Sequence, residues 1–477
     1  MTRLTEHPIL SFNRGDKLTF YFNGTPMTAF RGETVAAALH ANRVFTLSRS
    51  VRHHRPRGFF CAIGKCASCM MEVNGIPNVK TCLCPVEEGM QVRSQEGWGI
   101  IRDRKSVSAD RRRMDIPVTE TEIAVVGGGP AGLSAALAAS AHGARVMIFD
   151  ENPVPGGQLI KQTHMFFGSK AQYAKSRGMD IGNLLIRQMN SRVTMETESS
   201  VIGFYPGFQL AVLIRGIMHL ISPSKIIVAT GASENMLAFP NNDLPGVYGA
   251  GAVQTLMNVH GILPGKRVLM IGAGNIGVIV AYQLLQAGVD VAAIVEASPR
   301  IGAYQVHASK IRRCGVPILT RHTIIEATGK ERVEGAVIGK VDDQWQVIPG
   351  THQKIDVDTI CLAVGLRPSS ELFAQAGCRM VYISELGGDV PWRNKNLETS
   401  IQGLFVAGDA AGIEEASSAM LEGRLAGLVA VEQLVGSKPE IRKEKAAVTG
   451  ALAELRNGPF GEKTRVGESK INKGSGQ

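Results

Sequence analysis

Apolar and polar positions alternate from near the start of the chain. KLTFYFNGTPMTAF (Lys17–Phe30) reads as two strands joined at Asn23-Gly24, a dipeptide that accepts positive φ at both central turn positions. GETVAAALHAN then has the small apolar run of a short helix, and CMMEVNGIPNVKTC (Cys69–Cys82) repeats the hairpin pattern around Asn74-Gly75. Strand, strand, helix, loop and hairpin predict a small β-grasp domain over residues 1–100. The pattern then changes. EIAVVGGGPAGLSAALAASAHGARVMIFDENP (Glu122–Pro153) is a buried strand, a glycine turn, a helix of small residues and a second strand ending in acid. KRVLMIGAGNIGVIVAYQLLQAGVDVAAIVEASP (Lys266–Pro299) repeats the same unit. GLFVAGDAAGIEEASSAMLEGRLAGLVAV (Gly403–Val431) predicts a strand, a Gly-Asp turn and a long helix.

These elements set the expected domain plan. Residues 101–118, rich in arginine, read as a connector. Residues 119–235 with 356–436 form a first α/β nucleotide domain, and 236–355 form a second. Residues 437–477 read as a polar, basic tail whose last residues are disordered. With 477 residues, roughly three domains are expected. The longest apolar stretch, VLMIGAGNIGVIVAYQLLQAG, carries glycine spacing and internal Asn275 and Gln283, so it reads as strand–turn–helix and not as a membrane span. No apolar secretory segment opens the chain, and a cytoplasmic location is expected.

Charge changes this picture only at the ends. The net charge is +10. Residues 1–118 hold 18 Lys/Arg against 10 Asp/Glu, and 437–477 hold 9 against 5. Aromatic content is only 5%, and no nucleic-acid motif accompanies the basic ends. An anionic cofactor or an acidic partner explains them instead.

GFFCAIGKCASC (Gly58–Cys69) carries the densest chemistry. Cys61, Cys66 and Cys69 are spaced C-x4-C-x2-C, and Cys82 and Cys84 follow. In a reducing compartment such a group reads as metal ligands, not disulfides. The spacing is that of a plant-type 2Fe–2S loop, with zinc as the alternative. Small residues (Gly58, Ala62, Gly64, Ala67, Ser68) let backbone N–H groups approach the sulfurs. Cys82 and Cys84 face the same side of a strand. Cys82 is taken as the fourth ligand and Cys84 as a small buried hydrophobe. His53 and His54 are read as cations beside an anionic cluster.

Gly127-x-Gly129-x-x-Gly132 follows a strand, opens a helix and leads to Asp150, as a pyrophosphate-binding turn with a ribose acceptor requires. Gly272-x-Gly274-x-x-Gly277 with Glu296 is the second copy, and its acid favours NAD over a 2′-phosphorylated form. The alternative for this copy is a retained but unused fold.

Two such units, with IIVATGA (Ile226–Ala232) and FVAGDAAG (Phe405–Gly412), resemble the two-dinucleotide-domain flavoproteins that include thioredoxin and glutathione reductases. The resemblance implies FAD on the first unit, held by Gly127, Gly129, Pro130, Ala131, Gly132, Asp150 and Glu151. Gly157 and Gln158 of GGQL would line the flavin ring, with Val201, Thr230 and Gly231 nearby. Gly408 and Asp409 would lie at the ribityl chain. Gly272, Gly274, Asn275, Gly277 and Glu296 would take NAD. Cys314, Cys361 and Cys378 are isolated, so the flavin module has no C-x-x-C and disulfide reduction is not expected.

Joined to the β-grasp domain, and with GIEEAS at Gly412–Ser417, the module resembles the α-subunits of multi-subunit amino-acid dehydrogenases. These include sarcosine oxidase, opine oxidases, hydroxyproline and proline dehydrogenases, and hydrogen cyanide synthase. The resemblance departs from two patterns: the long folate-binding C-terminal domain of the sarcosine enzyme is missing, and no Cys follows 378 to build a second cluster domain. It implies an electron-transferring protein of a hetero-oligomer, carrying FAD and a 2Fe–2S cluster. The amine would be oxidised in a partner β-subunit that is itself a flavoprotein of the D-amino-acid or glycine-oxidase kind. The competing expectations are a stand-alone NADH oxidoreductase passing electrons to the cluster, and a non-catalytic scaffold with a vestigial NAD fold.

Overall fold

The computed structural model describes residues 2–95, 97–100, 116–166, 170–458 and 461–473. They fall into two compact units, each built from two stretches of chain: residues 1–110 with 234–365, and 111–233 with 366–477. The connector expected at 101–118 lies outside the described residues up to 115, and Val118 already begins a strand. Among the described residues, no helix is long and apolar enough to cross a membrane.

The first unit opens with a five-stranded sheet in the order Thr25–Phe30, Lys17–Phe22, Gln91–Arg93, Met70–Val73, Ile76–Lys80. Asn23 (φ 48°) and Gly24 (φ 82°) close the first hairpin, and Asn74 (φ 48°) and Gly75 (φ 81°) the second. Lys17–Phe22 pairs in parallel with Gln91–Arg93, which gives the β-grasp crossover. The Val35–Ala41 helix is buried along its whole length, and the Thr34 hydroxyl caps it by accepting from Ala37 N–H at 3.4 Å.

This sheet does not stand by itself. It shares one apolar core with the second stretch of the unit, where Tyr248, Val253, Leu256 and Met257 pack with Phe20, Leu39 and Leu47. The Arg55 guanidinium donates to Asp243 at 2.7 Å, and Gly249 N–H donates to the carbonyl of Phe60 at 3.0 Å. The second stretch carries a parallel sheet in the order Val247–Gly249, Thr359–Leu362, Arg267–Ile271, Asp290–Glu296, Ile318–Thr320. Its strands are covered on both faces and so read as continuous apolar runs. A three-stranded antiparallel sheet, His322–Thr328, Gly335–Lys340 and Gln353–Ile355, completes the unit.

The second unit is built on a seven-stranded sheet. Val193–Glu196, Val146–Phe149, Val118–Val126 and Ile217–Val228 run in parallel, and Leu404–Val406 also pairs with Ile217–Val228. Two helices lie close enough for backbone to touch backbone. A Cβ on Gly423 of Ala416–Val435 would sit 2.0 Å from the carbonyl oxygen of Ala131, and one on Gly427 2.3 Å from that of Ala135.

The expected tail differs from what is seen. Residues 439–456 and 462–473 are helices. Ile441, Val448, Leu452 and Arg456 form the buried face of the first. With only three apolar residues on that face, separated by charged ones, the stretch reads as polar in one dimension although its helical stripe is continuous. Residues 474–477 lie outside the described residues.

Candidate functional site

The cysteine loop curls because three backbone positions enter the left-handed region: Ala62 (φ 57°), Gly64 (φ 68°) and Ala67 (φ 58°). Two of these are alanines, for which that region is sterically costly, and such positions collect at ligand-holding loops. A Cβ on Gly64 would meet Leu83 Cδ1 at 2.5 Å. The curl turns N–H groups inward. Ile63 and Cys66 N–H groups serve the Cys61 sulfur, Ser68 N–H serves Cys66, and Cys82 N–H serves Cys69.

The thiols meet one another inside this loop. Cys61 contacts Cys66 and Cys82, and Cys82 also contacts Cys69. Cys61, Cys69 and Cys82 are buried, and Cys66 is half-buried. The thiols of Cys66 and Cys82 donate to Cys61 and hold it far below the usual thiol range. Reciprocally, Cys66 and Cys82 are pushed far up, with Cys61 the leading cause in each and burial adding to it. Four crowded sulfurs cannot all lose their protons unless a cation sits among them, so this donor set fits an iron cluster. The Cys84 sulfur lies 3.7 Å from the carbonyl oxygen of Pro85. His53 and His54 sit at the tip of the adjacent hairpin, exposed to solvent.

In the second unit, Gly127 (φ 105°) leaves its strand with N–H donating to the Phe149 carbonyl at 2.8 Å. A Cβ on Gly132 would lie 1.9 Å from the Gly127 carbonyl oxygen, so the helix can start there only with glycine. Gly129 is the N-cap, has no side chain to satisfy the first N–H groups, and is followed by Pro130 and Ala131 in the first turn. A Cβ on Gly129 would meet only Gly157 Cα, at 3.8 Å. That leaves a cradle where uncapped N–H groups and the helix dipole meet an anion, which fits the pyrophosphate of FAD.

Asp150 is 5% exposed: Oδ2 accepts from Gly128 N–H at 2.7 Å, and Oδ1 from the backbone and side-chain nitrogens of Asn152, both at 2.8 Å. Glu151 beside it is half-buried. Gly156 and Gly157 dock on the same loop, Gly156 N–H reaching the Gly128 carbonyl at 2.9 Å, while Gln158 is exposed. Val201 lies two residues beyond Ser199, whose N–H meets the Asp150 carbonyl. Thr230 and Gly231 are bound to Ser369, the Thr230 hydroxyl donating to its carbonyl at 2.7 Å. Gly408 touches the helix start, its Cβ position 2.9 Å from Ala131 Cβ. Asp409 is half-buried, and burial first, then Glu422 and Glu414, pushes its carboxyl up to about 7.

The Gly272 copy in the first unit repeats this local geometry. Gly272 has φ 104°, a Cβ on Gly277 would lie 2.1 Å from the Gly272 carbonyl oxygen, and one on Gly274 would meet nothing within 4 Å. Glu296 accepts from Ala273 N–H and Ser298 N–H, both at 2.8 Å. Asn275 Oδ1 accepts from Tyr304 N–H at 2.8 Å.

Sequence reading missed Gly128 and Asn152, which hold Asp150, and Glu422, whose Oε2 accepts from Gly408 N–H at 2.8 Å. The signal for Glu422 was present as a lone carboxylate in the apolar run MLEGRLAGLVAV.

Known proteins share both parts of this architecture. Residues 121–423 match the family described as pyridine nucleotide-disulphide oxidoreductase, and 15–97 match a 2Fe–2S iron–sulfur cluster binding domain. The chain is 28% identical over 474 residues to the alpha subunit of sarcosine oxidase from Rhizobium meliloti, covering 86% of this chain and 45% of the relative. It thus spans about half the length of the sarcosine oxidase relatives it matches. It is 30% identical over 326 residues to an opine oxidase subunit of Rhizobium meliloti, covering 64% of this chain and 69% of that one. Among solved structures, L-proline dehydrogenase of P. horikoshii is similar with a TM-score of 0.71 and 25% identity, over 94% of this chain and 79% of that chain.

Proposed function

The chain belongs to the pyridine nucleotide-disulphide oxidoreductase family, as an FAD-dependent oxidoreductase with an added 2Fe–2S domain, and on that premise we propose that it is the electron-transferring subunit of a hetero-oligomeric amine or amino-acid dehydrogenase. The observation that carries this reading is the combination of a four-cysteine loop and a glycine cradle without a C-x-x-C pair in the flavin module. In this reading amine oxidation belongs to a partner flavoprotein subunit of the D-amino-acid or glycine-oxidase kind, and the whole works in the cytoplasm.

When bound, FAD takes electrons in pairs and releases them singly, and the cluster carries one at a time. The residues supply the rest. Cys61, Cys66, Cys69 and Cys82 hold the cluster, with inward N–H groups favouring negative charge on the sulfurs. Gly127, Gly129 and Gly132 open the backbone to the pyrophosphate, Pro130 and Ala131 start the helix behind it, and Asp150 with Glu151 accepts from the ribose. Gly157, Gln158, Val201, Thr230 and Gly231 would border the flavin, and Gly408 and Asp409 would lie at the ribityl chain.

The test is to purify the chain alone and together with its neighbouring gene products, then assay proline, hydroxyproline, sarcosine and opines with a dye acceptor. Amine oxidation only in the complex is expected. Amine oxidation by the isolated chain would sink the reading. A second reading, a stand-alone NADH oxidoreductase, draws on the open cradle at Gly274 and on Glu296; NADH-to-dye turnover by the isolated chain would favour it.

A further inference from the structure

The long helix Ala416–Val435 buries a charge that the glycine cradle does not need. Glu422 is 2% exposed and surrounded along the helix by apolar and small residues. A buried carboxylate is costly unless it is both paired and hydrogen-bonded. Glu422 is both. Its Oε1 accepts from Arg456 Nη2 at 2.6 Å, and its Oε2 accepts from Gly408 N–H at 2.8 Å.

Arg456 arrives from the helix that sequence reading took for a tail. It also donates to Glu414 through Nε (3.1 Å) and Nη2 (2.5 Å), and to Glu468 through Nη1 (2.9 Å). Glu414 N–H in turn reaches Asp409 Oδ1 at 3.4 Å. Arg456 therefore grips both sides of the Gly408–Asp409 pair: Gly408 through the Glu422 side chain, and Asp409 through the Glu414 backbone. Gly408 (φ 70°) leaves no room for a side chain, since a Cβ there would lie 2.9 Å from Ala131 Cβ.

We propose that Arg456 is a positioning residue for the flavin, fixing the Gly408 N–H and the aim of Asp409 through Glu422 and Glu414. This rests on the reading that the Gly127 loop and Gly408–Asp409 hold FAD. The charged groups facing Glu422 are Arg456 from the 439–456 helix, Arg393 from the loop after Gly388–Pro391, and Glu414 and Asp409 from the segment before the long helix; Glu468 of the last helix shares Arg456 and Arg393. Without Arg456, carboxylates would face Asp409 with only Arg393 to balance them.

The test uses the purified holoprotein, with FAD release on dilution followed by flavin fluorescence. Arg456→Gln is expected to weaken FAD binding about tenfold or more at pH 8, as an uncompensated buried charge would. Binding should recover as pH falls toward 6 and the freed carboxylates take up protons, more steeply than in wild type, where Asp409 alone is pushed into this range. The double variant Arg456→Gln/Glu422→Gln should regain most of the loss and return the profile toward that of wild type, because a neutral amide still accepts from Gly408. A variant with a lowered Tm but the wild-type affinity and pH profile for FAD would show a structural tie only and overturn the proposal.

Should Arg456→Gln fail to fold, Glu422→Met against Glu422→Gln decides. Met offers only a weak thioether acceptor and should weaken FAD about tenfold, Gln by no more than about threefold; equal affinities would overturn the proposal. Gly129→Val serves as the control. If it also leaves FAD in place, the site itself has been misread. If it alone removes FAD, only the role of Arg456 fails.

Discussion

The two copies of the glycine turn share their innermost geometry and differ one layer out. In both, the first glycine has φ near 105°, the last glycine lies under the carbonyl of the first, and the acid of the second strand takes the N–H of the residue between the first two glycines. Those features close a strand–turn–helix unit and are indifferent to the ligand. The differences lie around them. At both copies a glycine-bearing segment docks on the loop, through Gly156 N–H to the Gly128 carbonyl at 2.9 Å and Ala303 N–H to the Ala273 carbonyl at 3.0 Å; what sets the Gly127 copy apart is that Pro130 opens its helix and the short Asp150 is buried. At the Gly272 copy the helix opens with Asn275, whose amide is occupied by Tyr304, Gly274 is open, and the longer Glu296 is half-buried. A repeated fingerprint thus marks a fold; which dinucleotide, if any, each copy takes is decided by its surroundings.

The comparison breaks most sharply with valine at the equivalent N-caps. Gly129→Val should cut FAD per chain by about tenfold or more, since its side chain would occupy the pyrophosphate position. Gly274→Val should leave FAD content unchanged, with absorbance per chain as the readout. If the two behave alike, the copies are not distinct.

Next comes independence from the cluster. Cys82→Ser should abolish the 2Fe–2S EPR signal of the reduced protein, Cys84→Ser should keep it, and neither should alter FAD content. The reverse pattern would reassign the fourth ligand.

A smaller effect is expected from the helix contact peculiar to the first copy. Gly423→Ala places a Cβ 2.0 Å from the Ala131 carbonyl oxygen and should cost about 1–3 kcal/mol, seen as a lowered unfolding temperature. An unchanged Tm would show that the helices are free to separate.

Smaller again is the preference of the second copy. Titration should show NAD binding tighter than its 2′-phosphorylated form by about tenfold, and Glu296→Ser should erase the difference. Tighter binding of the phosphorylated form by wild type would refute the assignment, and binding of neither would mark the copy as vestigial.

The smallest effect is in pH. Burial pushes the Asp409 carboxyl up to about 7 in the folded chain, against 3.8 for an unperturbed carboxyl. Between these values the FAD-free folded state holds a proton that the unfolded state has lost, so this group's contribution to stability falls as pH rises through the window. Asp409→Asn should flatten that decline in a series of unfolding temperatures. Parallel curves for variant and wild type would mean that the carboxyl is not perturbed.

Sequence was most informative where one residue type is forced. Asn-Gly at positive φ marked both hairpins, and glycines without room for a Cβ marked both nucleotide turns. Cysteine spacing was equally legible, because ligands of one cluster must follow the loop that wraps it. What escaped depends on partners far along the chain. The GGQL stretch stood out in the sequence, but its docking on Gly128 runs through backbone contacts that leave no pattern. Arg456 looks like one more surface cation until Glu414, Glu422 and Glu468 converge on it. The helices at 439–473 were hidden because a salt-bridged arginine fills a place where an apolar residue would have declared the stripe.

The division of each unit between two stretches of chain has a consequence for synthesis. The cysteine loop packs on residues such as Asp243 and Gly249, which leave the ribosome long after Cys61. At typical elongation rates that delay is roughly ten to forty seconds. During this interval the β-grasp sheet, contiguous in sequence, can pair its own strands, but its helix face has no Tyr248 or Leu256 to bury against. The nascent chain therefore passes through a stage in which the β-grasp sheet lacks the apolar surface that it packs against in the folded unit.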